Sequence, residues 1–180
     1  MKTGRMLAAL GCLTAVLGAT SCAVSPILNV PGGDEMCASV LTDQAEPYWF
    51  GVPVSNPGQR AIALQAVRLG EQDHMVLNDS YAVPPVQQSD GTTLGVGGMR
   101  DPAKENPDLW AGRQPVDGYM LAPGTDVFLT LALSRDAAET GRVRSQVITY
   151  RVDGELSDRQ ATSRLRIILT EDCQTLNEDA

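Results

Sequence analysis

Residues 48–69 read YWFGVPVSNPGQRAIALQAVRL and carry the clearest fold signal in the chain. The first eight of these residues are rich in aromatic and β-branched side chains, and the Asn-Pro-Gly that follows is a strong turn signal. Beyond the turn, Ile62 and Leu64 share one parity, whereas Val67 and Leu69 share the other. A slip of one residue within a strand is typical of a β-bulge. The stretch therefore predicts two strands joined by a tight turn, the second of them bulged.

Four further segments have the two-residue period of strands. These segments are 74–83, 127–133, 143–152 and 163–170. The segment 127–133 (VFLTLAL) is the clearest, because every second residue from Val127 to Leu133 is a large aliphatic one. No segment has a convincing helical period. Several short strands with turn signals between them predict an all-β fold, an antiparallel sandwich rather than a fold of alternating strands and helices.

The run 50–69 resembles the opening hairpin of bacterial immunoglobulin-like domains. The Pro-Gly turn in 121–125 and the strand pattern of 141–152 resemble later parts of the same domains. The resemblance covers residues 45–170 and implies an immunoglobulin-like antiparallel β-sandwich of about seven strands. Its motifs are common to many β-sandwiches, and the Cys, Trp and Cys pattern of antibody domains is absent from the expected strands.

A long segment, 84–120, lacks this periodicity and contains several prolines and glycines, together with Trp110 and Tyr119. Loops of this length in compact domains usually have a function or are disordered. One interpretation is an irregular excursion that packs over an end or edge of the sandwich. The other is a binding loop that uses Trp110 and Tyr119.

The N-terminus has the features of an export signal. Lys2 and Arg5 precede an apolar run at 6–19, which is too short to span a bilayer as a helix. The residues that end at Cys22 resemble a bacterial lipobox, so we expect cleavage after residue 21 and lipidation of Cys22. The chain would then be anchored to the outer face of the cell membrane. Ordinary signal-peptide cleavage and a freely secreted protein are the alternative.

These features divide the chain into a signal peptide (1–21), a flexible tether (22–36), a sandwich domain (37–175) and a disordered tail (176–180). A first edge strand at Ile27-Leu28 is the alternative for part of the tether. With Cys12 removed and Cys22 lipidated, Cys37 and Cys173 remain as an even pair. An even pair in an exported chain predicts a disulfide, here one that joins the two ends of the domain.

The charge of the chain restricts its partners. The formal net charge is −8, and it becomes −10 once Lys2 and Arg5 leave with the signal. Such an acidic domain is poorly suited to bind nucleic acid or anionic lipid directly. We therefore expect no nucleic-acid partner, and contact with the membrane through the lipid anchor only. Aromatic residues make up only 4% of the chain, which disfavours a stacking platform for sugars or nucleotides.

Two kinds of chemical site can be considered, a copper site and a hydrolase site. His74, Met75, Met99 and Met120 are candidate ligands for Cu(I), although their spacing matches no known motif, and we expect no metal and no cofactor. His74 is the only histidine, so a hydrolase would have to use it with a carboxylate such as Asp73 and with Ser80.

The preferred interpretation is not an enzyme. It is a cell-envelope lipoprotein that acts as a non-catalytic binding or structural module, with another envelope protein as its partner. An exported carrier of a small ligand or of copper is the alternative, and a hydrolase is less favoured.

Overall fold

The computed structural model of the protein describes residues 28–41, 46–136 and 139–174. Two short helices are present in these ranges, α1 (Pro102–Glu105) and α2 (Pro107–Ala111). The remaining elements are strands, which are β1 (Gly32–Ser39), β2 (Tyr48–Ser55), β3 (Ile62–Leu69), β4 (Gln72–Asp73), β5 (Met75–Val83), β6 (Val86–Gln87), β7 (Thr93–Leu94), β8 (Gly98–Met99), β9 (Gln114–Pro115), β10 (Met120–Leu121), β11 (Asp126–Arg135), β12 (Gly141–Val143), β13 (Gln146–Val152) and β14 (Arg159–Thr170).

Two sheets form the sandwich. The first sheet has the order β8-β2-β11-β5-β9, and the second has the order β10-β3-β13-β14-β12-β4 with β1 also beside β14. In the second sheet β12 and β13 pair with successive parts of β14, so they act as one interrupted strand. If β3 and β4 are likewise taken as one strand, and the two-residue strands β6–β10 of the segment 84–125 are set aside, seven principal strands remain. Apart from β1, which pairs with β14, their division into β2-β11-β5 and β3-β13-β14 is that of strands B, E, D and C, F, G of the immunoglobulin fold, which confirms the predicted fold class.

The strand predictions hold, but one predicted pairing is wrong. Residues 48–69 do not form a hairpin, because β2 pairs with β11 in the first sheet while β3 pairs with β13 in the second. The turn between them carries the chain from one sheet to the other. The predicted bulge is confirmed, since Thr149 lies opposite Ala66 whereas the next residue, Tyr150, lies opposite Leu64.

The predicted N-terminal boundary of the domain, residue 37, is also wrong, because residues from Leu28 onward already pack in the sandwich. The tether predicted for 22–36 ends by Leu28, whose side chain is 1% exposed in the main core. Asn29 bridges to Ser55 of the first sheet, and β1 then runs parallel to β14 of the second. The chain therefore crosses between the sheets at 30–31. Burial of Leu28 and pairing of the backbone on both sides of the crossing hold this segment in place.

The core lies between the sheets and follows the period of two. Val127, Leu129, Leu131 and Leu133 on β11 are all 0% exposed, and they face Ile148, Tyr150 and other inward residues of the second sheet. Burying one such aliphatic side chain stabilises the fold by about 1.5–3 kcal/mol. This strand is central in its sheet, between β2 and β5, so its inward residues contribute strongly to the stability of the domain.

The predicted disulfide is confirmed. Cys37 on β1 and Cys173 just after β14 are bonded, with a Cα–Cα distance of 5.9 Å. The bond thus fastens the first strand to the end of the last one. The predicted signal peptide, Cys22 and the tail at 176–180 lie outside the described residues. Within the described ranges no helix has the length and apolar character to cross a membrane.

Candidate binding surface

The predicted long loop is an insertion, 84–125, between β5 and β11. It crosses the outer face of the first sheet, because β8 pairs with one outer strand, β2, and β9 pairs with the other, β5. It approaches the sheet tightly at Gly51, whose N–H donates to the carbonyl of Gly97 at 3.2 Å. A Cβ at Gly51 would collide with the backbone of Val96. Glycine is required here because a main chain passes directly over it.

The insertion and the sheet enclose a second hydrophobic cluster. Val83, Val96, Met99 and Leu109 are its buried members. Partly buried side chains surround them, namely Trp49, Tyr81, Val86, Leu94, Trp110 and Phe128. The cluster confirms that the loop packs against the sandwich. The loop covers a face of the first sheet as well as its edges.

Two short helices present Trp110 on this face. Asp101 caps α1 by accepting a hydrogen bond from the N–H of Lys104, and Glu105 accepts from the N–H groups of Arg100 and Asp101. The hydrogen bond and charge of Lys104 lower the pKa of the Asp101 carboxyl. Pro107 then starts α2 at a position where proline is favoured. These local contacts fix the helix that carries Trp110.

Trp110 belongs to an aromatic cluster formed by Trp49, Tyr81 and Trp110 with Arg113. The ring centroids of Trp49 and Trp110 are 4.8 Å apart, and those of Tyr81 and Trp110 are 5.5 Å apart, both edge-to-face. The Arg113 guanidinium lies 4.9 Å from the Trp110 centroid and 5.7 Å from that of Tyr81. A hydrogen bond with Asp79 raises the pKa of Tyr81, with a smaller effect of burial.

Beside the aromatic cluster is an open cleft of about 300 Å³, which we call the tryptophan cleft. It is lined by Glu46, Pro47, Trp49, Arg100, Asp101, Pro102, Ala103 and Trp110. Two indole rings thus meet a guanidinium and carboxylates in one cleft. Trp and Arg are the residues that most often dominate binding energy in protein interfaces, so this combination suits a protein or peptide partner.

A second open cleft, of about 480 Å³, lies where the N-terminal segment crosses between the sheets. Its lining includes Asn29, Pro31, Pro53, Pro85 and Phe128. Its volume is larger than that of the tryptophan cleft, but it brings fewer charged groups together. Asp126 is the only ionisable side chain among the described residues that line it.

The two residues predicted for the binding loop are not brought together. Trp110 lines the tryptophan cleft, whereas Tyr119 packs against the main core, where burial raises its pKa. The carbonyl of Tyr119 accepts a hydrogen bond from the N–H of Leu64, which ties the end of the insertion to the second sheet. Tyr119 is therefore an anchor of the insertion rather than part of the cleft.

The four copper candidates are also dispersed. Met75 is buried in the main core between the sheets, and Met99 is buried in the second cluster on the opposite face of the first sheet. Met120 is 55% exposed and lies on the second sheet. Within the described ranges, no three or more His, Cys, Asp or Glu side chains are grouped to hold a metal ion. The pleat of β5 and β8 directs the methionines to different faces, so they share no coordination sphere.

His74 lies in the turn before β5, with φ of 46°. Its Nδ1 is 3.3 Å from the Asp136 carboxylate, and its Nε2 is 3.1 Å from Glu139 and 3.7 Å from Asp73. Ser80 is six residues further along the chain, which corresponds to about 20 Å of extended strand. The serine, histidine and carboxylate considered for a hydrolase therefore do not converge.

Sequence reasoning missed three members of the aromatic cluster, namely Trp49, Tyr81 and Arg113. A usable signal was present for Trp49. It directly precedes Phe50 in a predicted strand, and successive side chains of a strand point to opposite faces, so the two aromatic rings must lie on different faces of the sheet. A large aromatic side chain on the outer face of a strand indicates that another part of the chain covers that face.

Comparison with known proteins identifies no family. No family model and no curated protein matches the sequence. Among solved structures, the chain is similar to the VesB protease of Vibrio cholerae (TM-score 0.40, 11% identity, 80% of this chain and 32% of that chain). It is also similar to the CFA/I adhesin CfaE of enterotoxigenic E. coli (0.39, 8%, 81% and 48%) and to the CooA pilin subunit of enterotoxigenic Escherichia coli (0.34, 10%, 82% and 99%). The chain thus spans only about a third of VesB and half of CfaE.

Proposed function

We propose that this chain is a cell-envelope lipoprotein that acts as a non-catalytic binding module, and that the tryptophan cleft receives another envelope protein. The observation that carries the proposal is the insertion 84–125. It brings Trp110 and Arg100 beside Trp49 of β2, around one open cleft on the first sheet. Sites supported by a sheet and a disulfide need little reorganisation on binding, which favours affinity.

The proposed location follows from the N-terminal sequence. The basic start, the apolar run at 6–19 and the lipobox-like residues before Cys22 support export and lipid anchoring at the outer face of the cell membrane. The Cys37–Cys173 disulfide is consistent with this, because such bonds persist in oxidising compartments. Free secretion remains the alternative.

Intact mass tests the anchor. We expect the protein from bacterial membranes to begin at Cys22 and to carry added acyl mass. Its mass should also rise by that of two protons on reduction of the disulfide. A form found only in the medium, without added acyl mass, would overturn the anchor but not the cleft.

Site-specific photo-crosslinking tests the cleft. A photoreactive amino acid replaces Ala103, an exposed residue that lines the tryptophan cleft, and in a matched strain it replaces Leu156, which is 100% exposed and lies in the β13–β14 turn. We expect a discrete crosslinked envelope protein from position 103 only, and its loss when Trp110→Ala is added. Equal crosslinking from both positions, or none from position 103 in intact cells, would refute the cleft as the binding surface.

A further inference from the structure

The outer face of the second sheet is rich in arginine, although the chain as a whole is acidic. Six of the chain's 14 basic residues project from this face or lie at its rim. They are Arg68, Arg142, Arg144, Arg151, Arg164 and Arg166. The alternation of the strands produces this arrangement, since the inward neighbours Val67, Val143, Val152 and Leu165 are buried in the core.

Only part of this positive charge is neutralised locally. Arg166 pairs with Glu35 at 3.2 Å, Arg151 pairs with Asp158 at 2.8 Å, and Arg142 lies opposite Asp73 in the strand register.

In contrast, Arg68, Arg144 and Arg164 have no ion pair among the described residues. Arg144, Arg164 and Arg166 also line one groove of about 580 Å³, which we call the arginine groove, together with a single carboxylate from Glu71.

The arginine groove concentrates like charge. Arg164 and Arg166 are on the same side of β14, about 7 Å apart along the strand. Arg144 lies beside them, at the interruption between β12 and β13. Like charges on one sheet face repel one another. A bound anion relieves that repulsion. The insertion covers the outer face of the first sheet but leaves this face of the second sheet open.

The N-terminal segment reaches this face when it crosses from the first sheet at 30–31. Gly33 lines the arginine groove, and the carbonyl of Pro31 accepts a hydrogen bond from the N–H of Arg164 at 3.1 Å. Cys22 precedes Leu28, which is buried in the core, by six residues, and these span at most about 20 Å when fully extended. From this placement, and given the proposed lipid anchor, we infer that the arginine face rests against anionic phospholipid headgroups of the anchoring membrane.

The net negative charge of the domain does not prevent such contact. The Debye length is about 8 Å at physiological ionic strength, and the two sheets of a sandwich are about 10 Å apart. Acidic residues beyond the first sheet are therefore largely screened from a surface that touches the second. The expectation from net charge, that anionic lipid is a poor direct partner, does not account for the local excess of arginine in the arginine groove.

Vesicle flotation tests the inference without the lipid anchor. The chain from residue 22 contains every contact described above, and Cys22→Ser prevents acylation. We expect this protein to float with vesicles of phosphatidylglycerol and phosphatidylcholine, and to bind pure phosphatidylcholine much more weakly. The double variant Arg144→Gln and Arg164→Gln should lose about 25-fold in affinity, at about fivefold for each arginine.

The matched control is Arg60→Gln with Lys104→Gln, which removes the same charge outside both the arginine face and the tryptophan cleft. It should bind anionic vesicles like the parent. Equal losses in both double variants, or no preference for anionic vesicles, would overturn the inference. Binding to soluble polyglutamate without binding to vesicles would also overturn it and would point to an acidic protein instead. Because Cys22 is absent, none of these results depends on whether the natural chain is lipidated.

Discussion

Asn56→Ala is expected to destabilise the domain far more than an ordinary turn substitution. Asn56 is 0% exposed, and its amide nitrogen donates to the carbonyls of Arg60 at 2.9 Å and Leu121 at 3.1 Å. Its side-chain oxygen accepts from the N–H of Gly58 at 3.0 Å. One side chain thus organises the turn between β2 and β3 and holds the end of the insertion against it.

The magnitude follows from the three groups that alanine would leave unpaired. The bond to Leu121 is buried, and a buried unsatisfied carbonyl costs about 1–3 kcal/mol. The bonds to Arg60 and Gly58 are partly buried, so water can replace them in part, at about 0.5–1.5 kcal/mol each. We therefore expect a loss of about 3 kcal/mol in the free energy of unfolding, or roughly 6–12 °C in Tm.

Urea unfolding followed by circular dichroism, with the disulfide intact, measures this loss. The control is Asn29→Ala, because Asn29 is exposed and its amide donates to the hydroxyl of the half-buried Ser55 at 3.2 Å. The control should change stability by less than about 0.5 kcal/mol. If Asn56→Ala and Asn29→Ala have the same small effect, the buried hydrogen-bond network does not hold the insertion as described.

Three further changes test other parts of the structure. Cys37→Ser creates no cavity because Cys37 is exposed, and opening a 136-residue loop should lower the free energy of unfolding by about 5 kcal/mol in the chain-entropy model relative to the oxidised parent, whereas the reduced parent should be as stable as the variant. Gly51→Ala should cost about 1–3 kcal/mol by calorimetry, whereas Gly97→Ala, where a Cβ meets nothing within 4 Å, should cost under about 1 kcal/mol. Burial raises the pKa of Tyr119, so ionisation opposes folding and stability should fall as the pH rises above the ordinary tyrosine value. Tyr119→Phe should reduce that alkaline loss in a pH series of urea midpoints.

The sequence was sufficient for the strands that bury one face. In β11 every second residue is large and aliphatic, and a period of two fixes which side chains enter a core whatever the partner strand is. The disulfide was predicted from the count of cysteines together with the expected removal of Cys12 and lipidation of Cys22. The strand period is a property of neighbouring residues and the cysteine pair follows from a residue count. Neither prediction requires knowledge of the tertiary contacts.

Other features depend on tertiary contacts. Strand β1 reads GGDEMCAS, and glycine and aspartate are poor strand formers, so only pairing with β14 and the disulfide make this segment a strand. Sequence proximity also suggested a hairpin for β2 and β3, because the turn between them does not reveal that it crosses between sheets.

The surfaces depend on tertiary structure most of all. The tryptophan cleft unites Trp49 and Trp110, and the arginine groove unites Arg144 with Arg164, in each case from strands and loops distant in sequence. Local residue patterns determine which way each side chain points from its own strand. Only the packing of the two sheets and the path of the insertion determine which of those side chains become neighbours.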